Sequence, residues 1–261
     1  MQKQITLYPE IDTILTELIK KIDNVIGDNL LGIYLFGSLT YGDFDPGRSD
    51  IDLITLVNQQ LNAFQIEKCH ELHLYIEKRN PKWLHRIENS FTPTSMLSNI
   101  QPPNDPRPYY NDGEIWQAQY GNEWIINLYL LDKYGITLFG RNIHNIINNI
   151  NIKDVQQACV KDLFKEWEPK LQDPKWLDNH HYQSYLVLNL CRILYTVQKA
   201  DAKSKKVSAD WVKTQYPQWT NLINTAQNWH YGIQMLMQKD VLEFLRFVIT
   251  EVKLIKSDSN L

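Results

Sequence analysis

GSLTYGDFDPGRSDID, Gly37 to Asp52, decides how this chain is read. Its Gly, Ser, Asp and Pro content is the chemistry of a turn. It separates two short apolar runs rich in strand formers, LLGIYLF (Leu30–Phe36) and IDLITLV (Ile51–Val57), so two buried strands joined by a loop are the natural reading. At the end of the first strand, Gly37-Ser38 lets backbone N–H groups approach a phosphate and adds a hydroxyl donor. Asp50 and Asp52 lie two apart at the second strand, and a strand has a period of two, so both carboxylates point to one face. Two like charges held together call for a cation between them. Mg²⁺ fits, since it takes a few carboxylates and completes its octahedron with water and phosphates, and phosphoryl-type transfer needs such a cation. An isolated Asp-x-Asp is a weak signal. The order strand, Gly-Ser, eleven residues, Asp-Ile-Asp, strand is specific.

Upstream, Ile11, Ile14, Leu15, Leu18, Ile19, Ile22, Val25 and Ile26 recur at helical spacing, and Gly27 can end the helix. Downstream, Gln60–Lys78 reads as a helix and His85–Phe91 as a third strand closed by Pro93. That strand puts Arg86, Glu88 and Ser90 on one face and Ile87 and Phe91 on the other, which makes Glu88 a candidate third carboxylate and general base. QPPNDPRPYYNDG (101–113) reads as a loop near the active face or a linker. Asn122–Tyr134 is helical, and Ile136–Gly140 is a last edge strand. From about residue 151 the pattern is helical only: Lys153–Leu171, His181–Lys199, Ser204–Gln215, Gln218–Trp229 and Lys239–Ile255. The expected fold is therefore α/β plus all-α. A mixed sheet with flanking helices fills a first domain over 1–150, and a helical bundle fills a second over 151–261, with the site in the cleft between them.

The 261 residues suffice for two domains, and at 43% apolar content either half can bury a core. A net charge of −3 offers no basic surface for a nucleic-acid backbone and suits a cationic or neutral small partner. Cys69, Cys159 and Cys191 are widely spaced and form no CxxC pair, as expected of buried thiols in a reducing compartment. The N-terminus lacks the basic and apolar regions of a signal peptide, and no apolar run approaches a membrane span, so a soluble, cytoplasmic protein is expected. A two-domain monomer is the expected form. Cys69, His70 and His73 lack further ligands at metal spacing and read as a half-buried helix face. His180-His181 reads as the opening of a helix.

The Gly-Ser…Asp-x-Asp segment resembles the nucleotidyltransferase motif of the DNA polymerase β-like superfamily. That resemblance implies that Gly37 and Ser38 hold a triphosphate, that Ser49 assists, and that Asp50 and Asp52 bind Mg²⁺ with Glu88 as the third carboxylate. YGNEWIINLYLLDKYGITLFG (Tyr120–Gly140) and YLVLNLCRILYTVQKADAKSKKVSADW (Tyr185–Trp211) resemble the aminoglycoside adenylyltransferases, the 3″/9-type enzymes that modify streptomycin and spectinomycin. The likeness implies AMP transfer from ATP to a hydroxyl of a cationic, polyhydroxylated acceptor. It also implies nucleotide contacts from Arg192 and Lys205, the latter flanked by Lys203 and Lys206. The chain departs from that family in two places: His230, followed by Tyr231, stands where a nucleotide-contacting Tyr is expected, and Tyr182 stands where drug-binding members carry an acidic residue. A Trp and an Asp used by streptomycin-modifying members correspond to Trp167 and to Asp173 or Asp178. Two rivals remain open: a nucleotidyltransferase acting on another metabolite or a macromolecule, and a non-catalytic nucleotide- or drug-binding module.

Overall fold

The apolar stripe near the N-terminus becomes helix α1 (Pro9–Ile26) in the computed structural model, which describes residues 4–98, 101–147 and 150–258. Pro9 sits in the first turn, where a missing N–H leaves no bond unmade. Asp12 accepts from the N–H groups of Ile5 and Thr6 at 3.0 and 2.8 Å. Ile11, Ile14, Leu15, Leu18, Ile22 and Ile26 are buried along one face.

Strands β1 (Leu30–Phe36) and β2 (Ile51–Val57) pair antiparallel around the loop that carries the short helix α2 (Ser38–Tyr41). Helix α3 (Ala63–Arg79), opened by an Asn62–Gln65 capping box, crosses over to β3 (Ile87–Pro93), which lies parallel to β2. Strands β4 (Arg107–Asn111) and β5 (Glu114–Ala118) continue the sheet antiparallel on one side. Helix α4 (Trp124–Tyr134) precedes β6 (Ile136–Gly140), which pairs antiparallel with β1 as an edge strand. The order among the described residues is β5-β4-β3-β2-β1-β6, a mixed sheet with its core under α1 and α3.

Two expectations are corrected here. Stretch 101–113 is more than a loop: it contains β4 and the tight turn of a β4–β5 hairpin, with Asp112 and Gly113 both at positive φ (50° and 77°) as a two-residue turn requires. And β3 does not close at Phe91; it runs through Pro93, paired with Val57, where the missing proline N–H falls at the strand end.

A polar chain crosses the core between α3 and the sheet. His73 Nδ1 lies 2.6 Å from the Cys69 carbonyl and so carries the proton, while Nε2 accepts from Asn89 at 3.2 Å. Asn89 Oδ1 in turn accepts from Thr55 at 2.9 Å. Burial lowers the His73 pKa to about 4, so the ring is neutral. His70 reaches the Gly113 carbonyl at 2.9 Å, so both histidines serve the helix–sheet packing.

The described residues form two compact units. The first comprises 4–45, 49–120 and 130–147, and holds the sheet. The second comprises 46–48, 121–129 and 150–258. The second unit is helical: α5 (Ile152–Asp162), α6 (His180–Lys199), α7 (Lys205–Gln215), α8 (Thr220–Gln227) and α9 (Gln238–Asp258). Helix α6, capped by Asn179, is its centre, with Leu186, Val187, Leu190, Cys191 and Leu194 fully buried among α5, α7, α8 and α9. α5 runs into a π turn, Leu163–Trp167. The architecture is that of a mixed-sheet α/β unit followed by a helical C-terminal region, as expected from the sequence. No described helix is long and apolar enough to cross a membrane.

Candidate active site

The loop after β1 is shaped around Gly37. Its φ of 70° and ψ of −158° belong to a region that side chains avoid, and a Cβ there would lie 2.0 Å from Asp52 Oδ2. Only glycine lets the backbone pass this close to the carboxylate. The Gly37 carbonyl accepts from the Thr40 N–H and hydroxyl at 3.0 and 2.8 Å, which starts α2 at Ser38. At the far end, Ser49 and Asp45 exchange two bonds: Ser49 Oγ accepts from the Asp45 N–H (3.0 Å), and the Ser49 N–H donates to the Asp45 carbonyl (2.8 Å). Phe44, wedged between Tyr8 and Trp83, anchors the middle of the loop in the core.

Asp52 lies on β2 directly opposite Glu88 on β3 in parallel register, so the two carboxylates share a face of the sheet. Asp50 comes just before β2 and pairs with Arg86, whose Nε is 3.7 Å from Oδ1. The Arg86 guanidinium also donates to the Ser49 carbonyl and lies over the Trp83 ring. Glu88 Oε2 accepts a 2.5 Å hydrogen bond from the Tyr109 phenol of β4. Burial pushes the Tyr109 phenol well above its usual pKa. The Glu88 and Asp52 carboxylates push the same way, and Arg107 opposes them.

These carboxylates suit a hard cation by donor type. Among the described residues no three His, Cys, Asp or Glu side chains converge on one point. Mg²⁺ does not need such a cage: it binds through one or two carboxylates and fills its shell with substrate phosphates and water. The glycine-only contact at Asp52 keeps that face narrow at the carboxylate, which also fits.

In the second unit, Lys205, Tyr231, Trp167 and Tyr182 join one cluster of rings around His181, which lies in the first turn of α6. His181 stacks on Tyr182 and on Trp229, with centroids 5.7 and 5.3 Å apart, and meets Tyr231 at 5.7 Å. Tyr185 extends the cluster to Trp167 at 6.1 Å and takes the Lys205 ammonium over its ring at 4.2 Å. Burial, with Lys205 adding to it, lowers the His181 pKa. Arg192 donates to Asn189 at 3.0 Å and bears electrostatically on Asp162. Burial raises the Asp162 pKa to about 6, while the 2.8 Å bond from Trp167 Nε1 pulls it back. Asp178 takes a bond from Gln238 at 2.5 Å, Asp173 caps the turn at Lys175, and Lys203 pairs with Asp201 at 2.9 Å. The three cysteines are buried, which raises all three thiols and leaves them unreactive.

Comparison with known proteins covers both units. Residues 14–92 match the nucleotidyltransferase domain family, and residues 145–251 match the C-terminal domain of aminoglycoside adenylyltransferases. A spectinomycin 9-adenylyltransferase of Staphylococcus aureus is 24% identical over 227 residues, covering 83% of this chain and 84% of that protein. The spectinomycin 9-adenylyltransferase of Campylobacter jejuni is 25% identical over 232 residues, with the same two coverages. Among solved structures, the spectinomycin adenyltransferase of Enterococcus faecialis, crystallised with ATP and spectinomycin, matches with a TM-score of 0.72. It is 20% identical and covers 92% of this chain and 98% of its own, so it shares the fold.

Proposed function

This chain belongs to the aminoglycoside adenylyltransferase family and is an adenylyltransferase, and from that premise we propose that it transfers AMP from ATP to a hydroxyl of an aminocyclitol or aminoglycoside, releasing pyrophosphate. Spectinomycin is the first acceptor to try, since relatives of 24–25% identity are named for it, and streptomycin is the second. The observation that carries the reading is the register of Asp52 against Glu88, with Gly37 closed onto Asp52.

In the proposed reaction the Glu88 carboxylate takes the proton of the acceptor hydroxyl. The hydroxyl oxygen attacks the α-phosphorus in line, and the bond from that phosphorus to the bridging oxygen breaks, so that pyrophosphate leaves with the electron pair. Gly37, Ser38 and Ser49 are assigned to the triphosphate, and Arg192, Lys205 and Tyr231 to the nucleotide. Asp50 and Asp52, with Glu88, would hold Mg²⁺, which when bound offsets the charge that builds on the leaving group. Trp167, Asp178 and Tyr182 are assigned to the acceptor, whose ammonium groups suit aromatic faces and carboxylates.

The test is pyrophosphate release by the purified protein with Mg²⁺, ATP and a panel of aminoglycosides and aminocyclitols, beside an Asp50→Ala/Asp52→Ala variant. Release that depends on one acceptor and disappears in the variant is the expected result. Release that persists in the variant would refute the assignment of the carboxylates. Silence with every drug, together with Mg²⁺-dependent ATP binding, would move the acceptor outside this drug class.

A further inference from the structure

The hydrogen bond from Tyr109 to Glu88 belongs to a built arrangement. Strands β3 and β4 pair antiparallel with Ser90 opposite Tyr109, so the phenol lies on the face of the sheet that also carries Glu88, two residues before Ser90. It donates to Glu88 Oε2 at 2.5 Å, the short distance of a bond to an ionised acceptor. The ring itself is braced. Its partner across β4–β5, Trp116, meets it edge-on at 5.3 Å, and the Arg107 guanidinium lies over its face at 4.9 Å.

Arg107 is in turn one of the best-held cations of the unit, at 6% exposure. It donates to Ser90 Oγ at 3.0 Å and to the Ala118 carbonyl at 2.7 Å, and it lies 3.6 Å from the centre of the Tyr120 ring. Tyr120 is tied by its own hydroxyl to Ser90 and Thr92 at 2.8 and 2.5 Å. A glutamate side chain has three rotatable bonds and many rotamers, whereas a base must meet the acceptor hydroxyl in one geometry. Packing against Trp116 and Arg107 needs only a ring. The hydroxyl aimed at the carboxylate is what a phenylalanine would lack.

We propose that Tyr109 is a positioning residue for AMP transfer: its phenol fixes the orientation of the Glu88 carboxylate, and the Arg107–Tyr120 pair fixes the phenol. This rests on Glu88 being the base, and the experiment separates the two claims. Tyr109→Phe, Glu88→Gln and the double variant are compared for kcat, for KM with ATP and acceptor, and for thermal midpoint. A crystal structure of Tyr109→Phe is solved beside that of the wild type.

Misplacing a reacting group by about 1 Å costs up to about 100-fold, so kcat of Tyr109→Phe should fall about tenfold or more. KM for ATP and the melting temperature should hold, and in the crystal Glu88 should leave its single rotamer. The double variant should be no slower than Glu88→Gln alone, because the phenol acts only through that carboxylate. Unchanged kcat, an unmoved Glu88 in the crystal, or losses that multiply in the double variant would each overturn the proposal. A parallel loss of stability and ATP affinity would make Tyr109 a structural residue and overturn it too. A Glu88→Gln variant with wild-type kcat would instead sink the assignment of the base, an outcome distinct from the others.

Discussion

Replacing Gly37 by alanine tests the link between backbone and chemistry most directly. Two costs follow from the geometry. The first is conformational: φ 70° with ψ −158° is a region populated by glycine almost alone, and holding an alanine there costs roughly 1–3 kcal/mol. At roughly 2–4 °C per kcal/mol for a chain of this size, the melting temperature should drop by about 2–12 °C. The second is local: the new Cβ would arrive 2.0 Å from Asp52 Oδ2, so the carboxylate must swing aside. A shift of about 1 Å in a group that orients the reaction is expected to lower kcat about 100-fold.

Gly27→Ala separates the two costs. Gly27 also has positive φ, 58°, but nothing lies within 4 Å of its would-be Cβ. It should lose stability on the same scale, about 1 kcal/mol or more, and keep its kcat. Pyrophosphate release at 25 °C and thermal unfolding, run on both variants, decide the matter. A Gly37→Ala protein that is folded and transfers AMP at the wild-type rate would refute the claim that this glycine exists for Asp52. Equal rate losses in the two variants would do the same.

Two pH dependences follow from buried groups. For His73, a folded-state value of about 4 against about 6.5 unfolded means that the unfolded chain binds more protons in that window. Stability is full above pH 6.5 and should fall by roughly 3 kcal/mol toward pH 4. His73→Gln should lack that component in denaturant titrations, and parallel curves for the two proteins would contradict the prediction. Asp162 works in the opposite sense: its carboxyl is raised to about 6, so the folded chain binds the extra proton and stability should fall as pH rises from about 4 to about 6. Asp162→Asn keeps an acceptor for Trp167 Nε1 and should be more stable than wild type at pH 7, by up to roughly 3 kcal/mol, but nearly equal at pH 4. A deficit at pH 7 would show that the ionised carboxylate is needed there.

The strands that frame the loop were legible because their signals are local. Leu30–Phe36 and Ile51–Val57 are short, mostly apolar runs with turn residues on both sides, and each forms a strand over that same span. The β4–β5 hairpin was not read, because its partners are few and its surface is wet. β5 lies at the edge of the sheet with Glu114, Trp116 and Gln117 exposed, so no alternation of apolar and polar residues marks it. The Asp112-Gly113 pair was the available signal, masked by the prolines before it. The site divides the same way. Asp50 and Asp52 are two apart in sequence, and Glu88 alternates with Ile87 and Asn89, so spacing alone places them on faces. Tyr109 meets Glu88 only through the register of β3 on β4, and His181 meets Trp229 only through the fold of the second unit. No spacing encodes either contact.

The two polar networks of the first unit act on opposite faces of one strand. Along β3, Ile87, Asn89 and Phe91 face α3, and Asn89 is held there by His73 and Thr55. Glu88, Ser90 and Thr92 face the other way, where Tyr109, Arg107 and Tyr120 hold them. A slip of one residue would exchange these faces, carrying Glu88 into the core and Asn89 out of it. Apolar packing punishes such a slip only by area, whereas unmade bonds to His73 and Arg107 would each leave a buried polar group without its partner. The hydrogen bonds on both faces therefore specify the register as well as the stability of the strand that carries Glu88. The Asp52–Glu88 alignment depends on that register, so loss of the His73–Asn89 contact, on the face of β3 opposite Glu88, bears on activity through the strand.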